Sequence, residues 1–471
     1  MNNLPSPLLT IRDIIEATGG SLMRGRMEQA VRGVSTDTRT LEAGNLFIPL
    51  TGPNYNGHDF LIKAVSDGAG AFLTEKRHRG DVPVSAEEIA WIEVEDTLRA
   101  LGDIAHSWRK KMNCRVMAVT GSAGKTTTKE MTAAICSLNR KILKTEGNLN
   151  NLVGLPLTLL QLQEEIDLAI LELGTNAPGE IERLTRLAAP DVGVLTNIGP
   201  AHLEGLGTLA DVREEKGMLF AVMNHQGTAI LNLDDPEINL LRKRWQGNQI
   251  SFSLSAPADV TAENIRPVET WKTAFMLNIQ GTKEEIVLSV PGRHNVHNAL
   301  AAAAAATAVG CEPSLISRGL HAFRTITGRM EIEILPSGAH LIHDAYNANP
   351  LSVTEALKTL VDLSGNSRRI VVFGDMLELG DHSAAYHEEI GRQIGASKIY
   401  ALFLKGDLAR ITANAAESAG LDRNHIFFFD GKGTAIPALR EVVSTGDWIL
   451  LKGSRKMRLD ELIPDIRLFG G

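Results

Sequence analysis

The stretch that most constrains the fold is a Gly-rich turn that joins a short apolar segment to a helix. Residues 115–119 read Arg-Val-Met-Ala-Val, which is typical of a buried strand, and residues 131–136 read Met-Thr-Ala-Ala-Ile-Cys, which favours a helix. Between them, residues 120–130 read Thr-Gly-Ser-Ala-Gly-Lys-Thr-Thr-Thr-Lys-Glu. Glycines let backbone N–H groups turn inward, and a helix N-terminus favours anions. The pattern therefore predicts a phosphate-binding loop.

The residue types of this loop suggest roles for its side chains. Lys125 is expected to reach the terminal phosphates of a nucleotide, and the Thr126 hydroxyl to hold a magnesium ion. The standard motif has four residues between its first Gly and the Gly-Lys pair, and Val119 stands where that Gly is expected. An ordinary strand–turn–helix connection is the alternative. The residues expected around the phosphates are Gly121, Ser122, Ala123, Gly124, Lys125, Thr126 and Thr127.

Strands alternate with helices on both sides of the chain's midpoint. Alternation of this kind implies a parallel sheet covered by helices, with the phosphate loop at a carboxyl edge. The first set of predicted strands is 116–119, 168–171, 192–195 and 229–231. A second set, 369–373, 399–404, 425–429 and 448–451, predicts a second sheet.

Length and composition limit the class of protein. A chain of 471 residues is too long for one core and indicates two or three domains. Its hydrophobic fraction of 44% and charged fraction of 22% are ordinary for a soluble globular protein. The net charge of −8 argues against a general nucleic-acid binder. The cysteines Cys114, Cys136 and Cys311 lack metal-ligand spacing, and Cys114 and Cys136 adjoin apolar segments, which predicts buried, reduced thiols and a reducing compartment.

Two further segments bear on location. Residues 1–5 have neither the basic region nor the apolar core of a signal peptide. The longest apolar run, Ala299–Val309, is too short to span a bilayer and predicts a tightly packed helix. We therefore expect a cytoplasmic protein, without membrane insertion or a nucleic-acid partner, and a monomer.

The phosphate loop resembles that of the Mur ligases, the ATP-dependent amide-forming enzymes of bacterial cell-wall precursor synthesis. The match lies in Thr-Gly-Ser-x-Gly-Lys-Thr-Thr-Thr-Lys-Glu-Met at residues 120–131. Gly-Asp-Met-x-Glu-Leu-Gly at 374–380 is similar to the branch that adds D-alanyl-D-alanine to a UDP-linked muramoyl tripeptide. The resemblance implies an α/β chain of three domains: a small N-terminal UDP-binding domain at 1–105, a central P-loop parallel-sheet ATPase domain at 106–326, and a Rossmann-like C-terminal ligase domain at 327–471 that binds the dipeptide and closes on ATP.

Besides Thr126, three side chains are candidates for the magnesium site. Glu172 ends a buried apolar strand, where a carboxylate is costly unless it is paired or binds a metal. A structural salt bridge is the alternative. His202 follows the end of the strand at 192–195, and the matching histidine of the family binds a second magnesium. Lys216, beside acidic neighbours on a predicted helix, has the pattern of a solvated cation, but the resemblance implies a carbamylated lysine that helps to position magnesium.

Further nucleotide contacts are implied by the resemblance. Residues 292–301 match Gly-x-His-Asn-x-x-Asn-x-x-Ala, which places Asn295 near the adenine. Arg329 follows Gly328 at a hinge, and its family equivalent reaches the ATP phosphates. Residues 344–350 match Asp-x-Tyr-Asn-Ala-Asn-Pro, which makes Asp344, Tyr346 and Asn347 nucleotide contacts. The expected catalytic group is Lys125, Lys216, His202 and Arg329.

Substrate contacts are expected in all three domains. The turn after residue 33 and the strand after 44 resemble the uridine diphosphate site, although turn chemistry alone also explains the turn. The Asn-rich loop at 145–156 matches the stretch that binds the muramoyl peptide, and an ordinary loop is the alternative. The Lys-Gly-Ser turn at 452–454 suits a carboxylate or a phosphate. The candidates are Ser35, Thr36, Asp37, Phe47, Asn148, Asn150, Asn151, Thr175, Asn176, Asp375, Lys452 and Ser454.

The activity implied is ATP-driven amide formation through an acyl-phosphate, with ATP and Mg²⁺ as cofactors. The substrates would be UDP-N-acetylmuramoyl-tripeptide and D-alanyl-D-alanine. A sibling that adds lysine or diaminopimelate is one alternative, although its typical Asp-Asn-Pro-Arg is missing from this chain. A folylpolyglutamate synthase and a P-loop switch protein are the others.

Overall fold

The structure is a computed structural model that describes residues 8–82, 89–269 and 271–470. Residues 1–5, which lack the pattern of a signal peptide, lie outside the described residues. Within those ranges, no helix is long and apolar enough to cross a membrane.

The N-terminal part folds around a small mixed sheet. Its elements are β1 (Leu8–Thr10), α1 (Ile11–Thr18), β2 (Ser21–Arg24), β3 (Ala30–Arg32), β4 (Val34–Ser35), β5 (Leu46–Phe47), β6 (Thr51–Gly52), β7 (Tyr55–Asn56), α2 (Leu61–Ser66), β8 (Ala71–Glu75) and β9 (Ala90–Val94). Five strands pair in the order β2-β9-β8-β5-β4, all parallel except β2 against β9. Helix α1 begins after Thr10, which forms a reciprocal capping box with Asp13, and it ends at left-handed Gly19.

The central part contains a larger sheet. Its elements are α3 (Thr97–Lys111), β10 (Arg115–Thr120), α4 (Lys125–Cys136), β11 (Ile142–Lys144), α5 (Gly154–Leu159), β12 (Leu168–Glu172), α6 (Glu180–Ala188), β13 (Val192–Leu195), α7 (Leu203–Leu206), α8 (Leu209–Val222), β14 (Thr228–Asn232), α9 (Pro236–Arg242), β15 (Asn248–Ser253), β16 (Val260–Val268), β17 (Lys272–Ile279), β18 (Thr282–Leu288), α10 (Arg293–Ala308) and α11 (Pro313–Ala322). The strand order is β11-β12-β10-β13-β14-β15-β16-β17-β18. Strands β11 to β16 run parallel, which confirms the predicted parallel sheet, and β17 and β18 extend it as antiparallel neighbours.

Both faces of this sheet are buried. Along β10, Met117 and Val119 pack with α4, α10 and α11, whereas Val116 and Ala118 face the core beneath α3 and α6. This alternation follows from the period of two along a strand. Helix α10 carries the Ala-rich run, which is buried from residue 298 to 306 and packs against α4. This burial confirms the predicted tightly packed helix. Small side chains such as alanine let neighbouring helices approach closely.

The C-terminal part forms a third sheet. Its elements are β19 (Glu331–Ile334), β20 (His340–Asp344), α12 (Pro350–Ser364), β21 (Arg369–Gly374), α13 (Ser383–Ala396), β22 (Ala401–Lys405), α14 (Ala409–Ser418), β23 (Ile426–Phe428), α15 (Lys432–Val442), β24 (Trp448–Lys452) and α16 (Ile463–Ile466). The order is β19-β20-β24-β21-β22-β23, parallel except for β19. The predicted second sheet is confirmed. Strand β22 begins two residues later than the sequence pattern indicates.

The cysteines are buried and unlinked, as the sequence predicts. Cys114 precedes β10, and Cys136 ends α4. The Cys136 and Cys311 sulfur atoms lie 3.9 Å apart, too far for a disulfide bond.

Candidate active site

The central and C-terminal sheets enclose a cleft of about 1170 Å³. The loops that follow β10, β12, β13 and β14 line one wall, and those that follow β20, β21 and β24 line the other. Two hydrogen bonds cross between the walls at the phosphate loop. Arg329 Nη2 donates to Thr126 Oγ1 at 3.0 Å, and Asn349 Nδ2 donates to the Ser122 carbonyl at 3.1 Å. The predicted phosphate loop therefore faces residues of both parts.

The phosphate loop is held open by the loop that follows β13. The Ala123 amide donates to Asn197 Oδ1 at 2.8 Å, and the Ser122 hydroxyl donates to the Gly199 carbonyl at 2.8 Å. Gly121 has a φ of 148°, and a Cβ there would lie 1.9 Å from Thr196 Oγ1. The loop conformation thus requires glycine at this position.

Lys125 begins α4 and folds back over the loop. Its Nζ donates to the Gly121 carbonyl at 2.7 Å. Burial lowers the pKa of Lys125; nearby Arg329 lowers it further, and Glu172 opposes both. A bound anion would relieve this burial cost, which suits a phosphate-binding lysine.

Glu172 lies at the carboxyl end of β12, as the sequence predicts, and is 3% exposed. Its Oε1 accepts a hydrogen bond of 2.8 Å from Asn150 Nδ2, whereas its Oε2 is buried without a hydrogen-bond partner. In the part of the chain that the structure describes, Glu172 forms no salt bridge, so the structural alternative raised by the sequence has no support. An unsatisfied buried carboxylate oxygen is costly and is a natural cation ligand.

Lys216 is 1% exposed on α8, so its interpretation as a solvated cation is wrong. Helix α8 packs against α6 and turns this side chain inward. Burial lowers the pKa of Lys216 well below its usual range; Lys125 lowers it further, and Glu215 opposes them. Lys216 does not line the cleft, but it is close enough to Lys125 for the two charges to interact.

The neighbouring Glu215 is buried too, and the sequence did not single it out. Its carboxylate accepts hydrogen bonds from the amides of Gly179 and Ile181, both at 2.7 Å, and from Thr175 Oγ1 at 3.2 Å. It therefore fixes the segment that begins at Thr175 and leads into α6. Thr175 and Asn176 line the cleft beside this anchor.

His202 lies at the entrance to α7 and faces the C-terminal part. Its Nδ1 donates to Glu378 Oε2 at 2.7 Å. Both residues line the cleft. Glu378 belongs to the Gly-Asp-Met-x-Glu-Leu-Gly segment, but nothing in the sequence pattern predicts its pairing with His202.

The hinge arginine and the Asp-x-Tyr segment lie together. The Arg329 guanidinium stacks over the Tyr346 ring, with its central carbon 4.3 Å from the ring centroid. Asp344 forms an ion pair of 2.7 Å with Lys452, whose Nζ also donates to the Asn347 carbonyl at 2.8 Å. Lys452 thereby joins the ends of β20 and β24 at the cleft floor.

Asn295 lies in the first turn of α10 and is 4% exposed. Its Nδ2 donates to the Pro291 carbonyl at 2.7 Å, and its Oδ1 accepts from Asn298 Nδ2 at 3.3 Å. Asn298 also limits the phosphate loop, since a Cβ on Gly124 would lie 2.2 Å from its Oδ1. Asn295, which is predicted to contact the adenine, therefore lies beside the phosphate loop.

Most of the predicted site residues come together in this cleft. Within the described residues, its lining includes Ser122, Ala123, Gly124, Lys125, Thr126, Thr127, Asn148, Asn150, Asn151, Glu172, Thr175, Asn176, His202, Asn295, Arg329, Asp344, Tyr346, Asn347, Lys452 and Ser454. Gly121 belongs to the phosphate loop but does not line the cleft.

Five predicted substrate residues lie elsewhere. Ser35, Thr36 and Asp37 form a turn in the N-terminal part, where Asp37 pairs with Arg39 and Phe47 is buried in a small core. Asp375 is 4% exposed, and its Oδ2 accepts from the Leu408 amide at 3.1 Å. The structure does not place any of these five in the cleft lining.

Sequence reasoning missed an acidic pair in the lining that follows β14. Asp234 accepts hydrogen bonds from Ser253 Oγ at 2.6 Å, the Leu254 amide at 2.6 Å and His297 Nε2 at 2.9 Å. Burial raises the pKa of Asp234, but these hydrogen bonds outweigh burial and hold it well below its usual range. The available signal was the adjacent pair Asp234 and Asp235, which follows the buried strand β14 after one intervening residue.

Comparison with known proteins gives one family over most of the chain. The model of the Mur ligase family, catalytic domain, matches residues 30–109. The Mur ligase middle domain matches residues 119–306. The Mur ligase, glutamate ligase domain, matches residues 328–455.

Individual relatives match over nearly their whole length. The UDP-N-acetylmuramoyl-tripeptide–D-alanyl-D-alanine ligase of Bacillus subtilis is 37% identical over 97% of this chain and 98% of its own. A MurF crystal structure from Acinetobacter baumannii is 32% identical, with a TM-score of 0.88 over 98% of this chain and 99% of its own. MurF ligase from Thermotoga maritima in complex with ADP is 26% identical, with a TM-score of 0.81 over 92% of this chain and 96% of its own. The chain therefore belongs to the Mur ligase family.

Proposed function

We propose that this chain is an ATP-dependent ligase that joins D-alanyl-D-alanine to UDP-N-acetylmuramoyl-tripeptide, a step of bacterial peptidoglycan precursor synthesis. The products are ADP, phosphate and UDP-N-acetylmuramoyl-pentapeptide. The name of the Bacillus subtilis relative, which matches nearly end to end, supports this substrate pair over a sibling that adds a single amino acid. The main structural support for this reaction is the contact between the phosphate loop and Arg329 of the C-terminal part, which donates a hydrogen bond to Thr126.

ATP fits the cleft with its phosphates over the loop at 121–127. The similar Thermotoga maritima structure contains ADP, which supports a nucleotide at this site. Lys125 and Arg329 approach the loop from its two sides and supply positive charge. Asn295, Asp344, Tyr346 and Asn347 lie around the remaining space and are our candidates for contacts to the nucleoside.

Magnesium suits the oxygen groups next to the loop. Glu172 offers a buried Oε2 without a partner, and Thr126 offers its hydroxyl. A protein magnesium site usually consists of one or two carboxylates together with substrate phosphates, and Glu172 and Thr126 offer such oxygen ligands beside the loop. When bound, the ion neutralises phosphate charge. His202 is our candidate for a second magnesium.

Lys216 is a candidate for carbamylation. Its depressed pKa favours the neutral amine, and only the neutral amine adds to carbon dioxide, forming an N–C bond and releasing a proton. The resulting carbamate would carry a negative charge beside Lys125. Carbon-13 NMR of the protein under labelled carbon dioxide tests this, with Lys216→Gln as the control that should lack the carbamate signal.

The residues support a two-step reaction. In the first step the tripeptide carboxylate attacks the γ-phosphate of ATP, and an acyl-phosphate and ADP form. In the second step the D-alanyl-D-alanine amine attacks the acyl carbon, and phosphate leaves. Lys125 and Arg329 stabilise the charge that moves in both steps, because preorganised cations act strongly where water is excluded. The residues come from both walls, so the two parts must be closed for catalysis.

The substrate sites remain our proposals too. Asn148, Asn150, Asn151, Thr175 and Asn176 line the central wall and suit the peptide end of the nucleotide-linked substrate. The turn at 35–37 and Phe47 suit the uridine diphosphate end. Lys452 and Ser454 suit the dipeptide carboxylate. Asp375 contacts their loop through its backbone, because its carbonyl accepts a hydrogen bond of 3.2 Å from the Ser454 amide. We place the enzyme in the bacterial cytoplasm, a reducing compartment that suits its buried, unlinked thiols. We also propose that it is a monomer.

The decisive assay is phosphate release from ATP with magnesium and UDP-N-acetylmuramoyl-tripeptide, with and without D-alanyl-D-alanine. We expect release only when the dipeptide is present, together with the UDP-linked pentapeptide as product. Release with a single amino acid on a shorter UDP-peptide would assign the chain to a sibling ligase. Absence of amine-dependent release with every peptide tested would refute the proposal.

A further inference from the structure

Two segments from different sheets meet in strained backbone at the cleft edge. His202 has a φ of 57°, and Glu378 has a φ of 65°. Both are left-handed conformations that non-glycine residues rarely adopt. Such strain persists where surrounding contacts enforce it. Here the two strained residues contact each other.

Glu378 is held against α7 by its side chain and by its backbone. Its Oε2 accepts the hydrogen bond of 2.7 Å from His202 Nδ1. Its carbonyl accepts a hydrogen bond of 3.1 Å from the Glu204 amide. The chains also approach closely beside it, since a Cβ on Gly380 would lie 3.1 Å from the Glu204 Cα. The pair is therefore a contact between the central and C-terminal parts, not a contact within either.

This geometry has a consequence for the imidazole ring. A carboxylate that accepts from Nδ1 fixes the proton there and leaves the Nε2 lone pair free to bind a cation. Carboxylates commonly orient metal-binding histidines in this way, and their removal lowers metal affinity or activity about 10–100-fold. In this chain Glu378 lies in the loop after β21 of the C-terminal sheet, whereas His202 lies in the loop after β13 of the central sheet. The ring is oriented only while the two parts are together.

We propose that Glu378 is a positioning residue that makes the orientation of His202 depend on closure of the cleft. When the parts separate, His202 loses its partner and is no longer held in the Nδ1–H form. When they close, the ring is presented with Nε2 free, next to the phosphate loop. The binding of a cation by His202 rests on the proposed function, whereas the effect of Glu378 on the tautomer of His202 does not.

The test uses the full-length chain labelled with nitrogen-15 in histidine. The chain has 13 histidines, and the His202 signals are assigned by their absence from a His202→Gln variant. We expect the Nδ1–H tautomer in the closed protein. Glu378→Ala should shift His202 to the Nε2–H tautomer that free histidine prefers, and Glu378→Gln, which keeps an acceptor oxygen, should restore Nδ1–H.

The matched control is Asp381→Ala. Asp381 is an exposed carboxylate three residues further along the chain, and its side chain has no hydrogen bond or ion pair with any of the described residues. It should leave the His202 tautomer unchanged. If Glu378→Ala leaves the tautomer unchanged, or if Asp381→Ala shifts it equally, the positioning role is refuted.

Closure is tested by measuring the tautomer and the distance between spin labels on the two parts as ADP is added. The two quantities should change together. A tautomer that stays constant while the distance changes overturns the coupling. In the ligase assay, Glu378→Ala should lower kcat about tenfold or more with little change in KM for the UDP-peptide. If the wild type lacks ligase activity but its tautomer responds to Glu378→Ala, the proposed function fails and the positioning role stands.

Discussion

Replacing Glu215 with glutamine isolates the contribution of one buried carboxylate to the active-site scaffold. Glu215 is 6% exposed, and its two oxygens together accept three hydrogen bonds. Two of the donors are the backbone amides of Gly179 and Ile181, which lead into α6. Glu215→Gln keeps the size and shape of the side chain. It changes the charge and converts one acceptor into a donor.

The magnitude follows from those three contacts. With the retained oxygen toward Ile181 and Thr175, the new NH₂ group faces the Gly179 amide, donor against donor. One charge-assisted hydrogen bond worth about 1.5–3 kcal/mol is lost, and the other two become neutral and weaker. We expect the free energy of unfolding of the central part to fall by about 3 kcal/mol, which corresponds to a melting temperature roughly 6–12 °C lower.

The neighbouring Glu214 provides the control. Its side chain is 49% exposed and pairs with Arg244 at 2.7 Å and with Arg213 at 3.0 Å. Glu214→Gln should therefore cost about 1 kcal/mol or less, because exposed ion pairs contribute little. Thermal unfolding gives both shifts, and hydrogen exchange should show faster exchange at the amides of Gly179 and Ile181 in Glu215→Gln alone. Equal shifts in the two variants would refute the assignment of a buried charged acceptor.

Three other predictions test the scaffold. Gly121→Ala should abolish ADP binding in calorimetry while the chain stays folded, because its Cβ would lie 1.9 Å from a hydroxyl oxygen at a φ of 148°; retained affinity would contradict the loop geometry. Gly391→Ala should destabilise by about 1–3 kcal/mol in urea unfolding, since its Cβ would lie 2.4 Å from a carbonyl of α14, whereas Gly433→Ala has open space and should be neutral or stabilise by up to about 1 kcal/mol. Partial burial raises the pKa of Asp13, but hydrogen bonds from Lys111 and the capping threonine outweigh it and lower the pKa from 3.8 to about 2. This stabilisation is present above the ordinary pKa and is lost as pH falls through the folded value, so Asp13→Asn should be less stable near neutral pH, and its difference from wild type in thermal unfolding should shrink between pH 3.8 and about 2.

The sequence predicted the parallel sheets well because their strands are buried on both faces. Such strands appear as continuous apolar runs, and the predicted runs coincide with β10, β12, β13 and β14 within one residue. Glu172 was also predictable, since a carboxylate at the end of such a run has few explanations other than pairing or a ligand. The antiparallel β17 and β18 were missed. Partly polar, alternating segments of this kind carry a weaker signal.

The direction of a side chain could not be predicted from the sequence where it depends on an element that is distant along the chain. Lys216 has the pattern of a surface lysine, yet it is buried on α8, which packs against α6, α7, α9 and β13. Asp375 follows a strand end, as Glu172 does, yet its carboxylate turns to the Leu408 amide and not to the cleft. Glu378 gains its partner from a helix 176 positions away along the chain. Contacts between residues so far apart in the sequence depend on how the central and C-terminal sheets pack together, which the local sequence pattern does not reveal.

The charges of the cleft explain why phosphate binding and closure belong together. Burial is the largest cause that lowers the pKa of Lys125 and of Lys216; the charge of Arg329 adds to it at Lys125, and the charge of Lys125 adds to it at Lys216. Glu172 raises the pKa of Lys125 by more than Arg329 lowers it, so the net lowering is due to burial. Closing the cleft without an anion brings Arg329 toward Lys125 and adds its repulsion to the burial cost of that lysine. A polyphosphate between them turns repulsion into attraction, so the nucleotide stabilises the closed arrangement in which Arg329 and Thr126 meet and His202 finds Glu378.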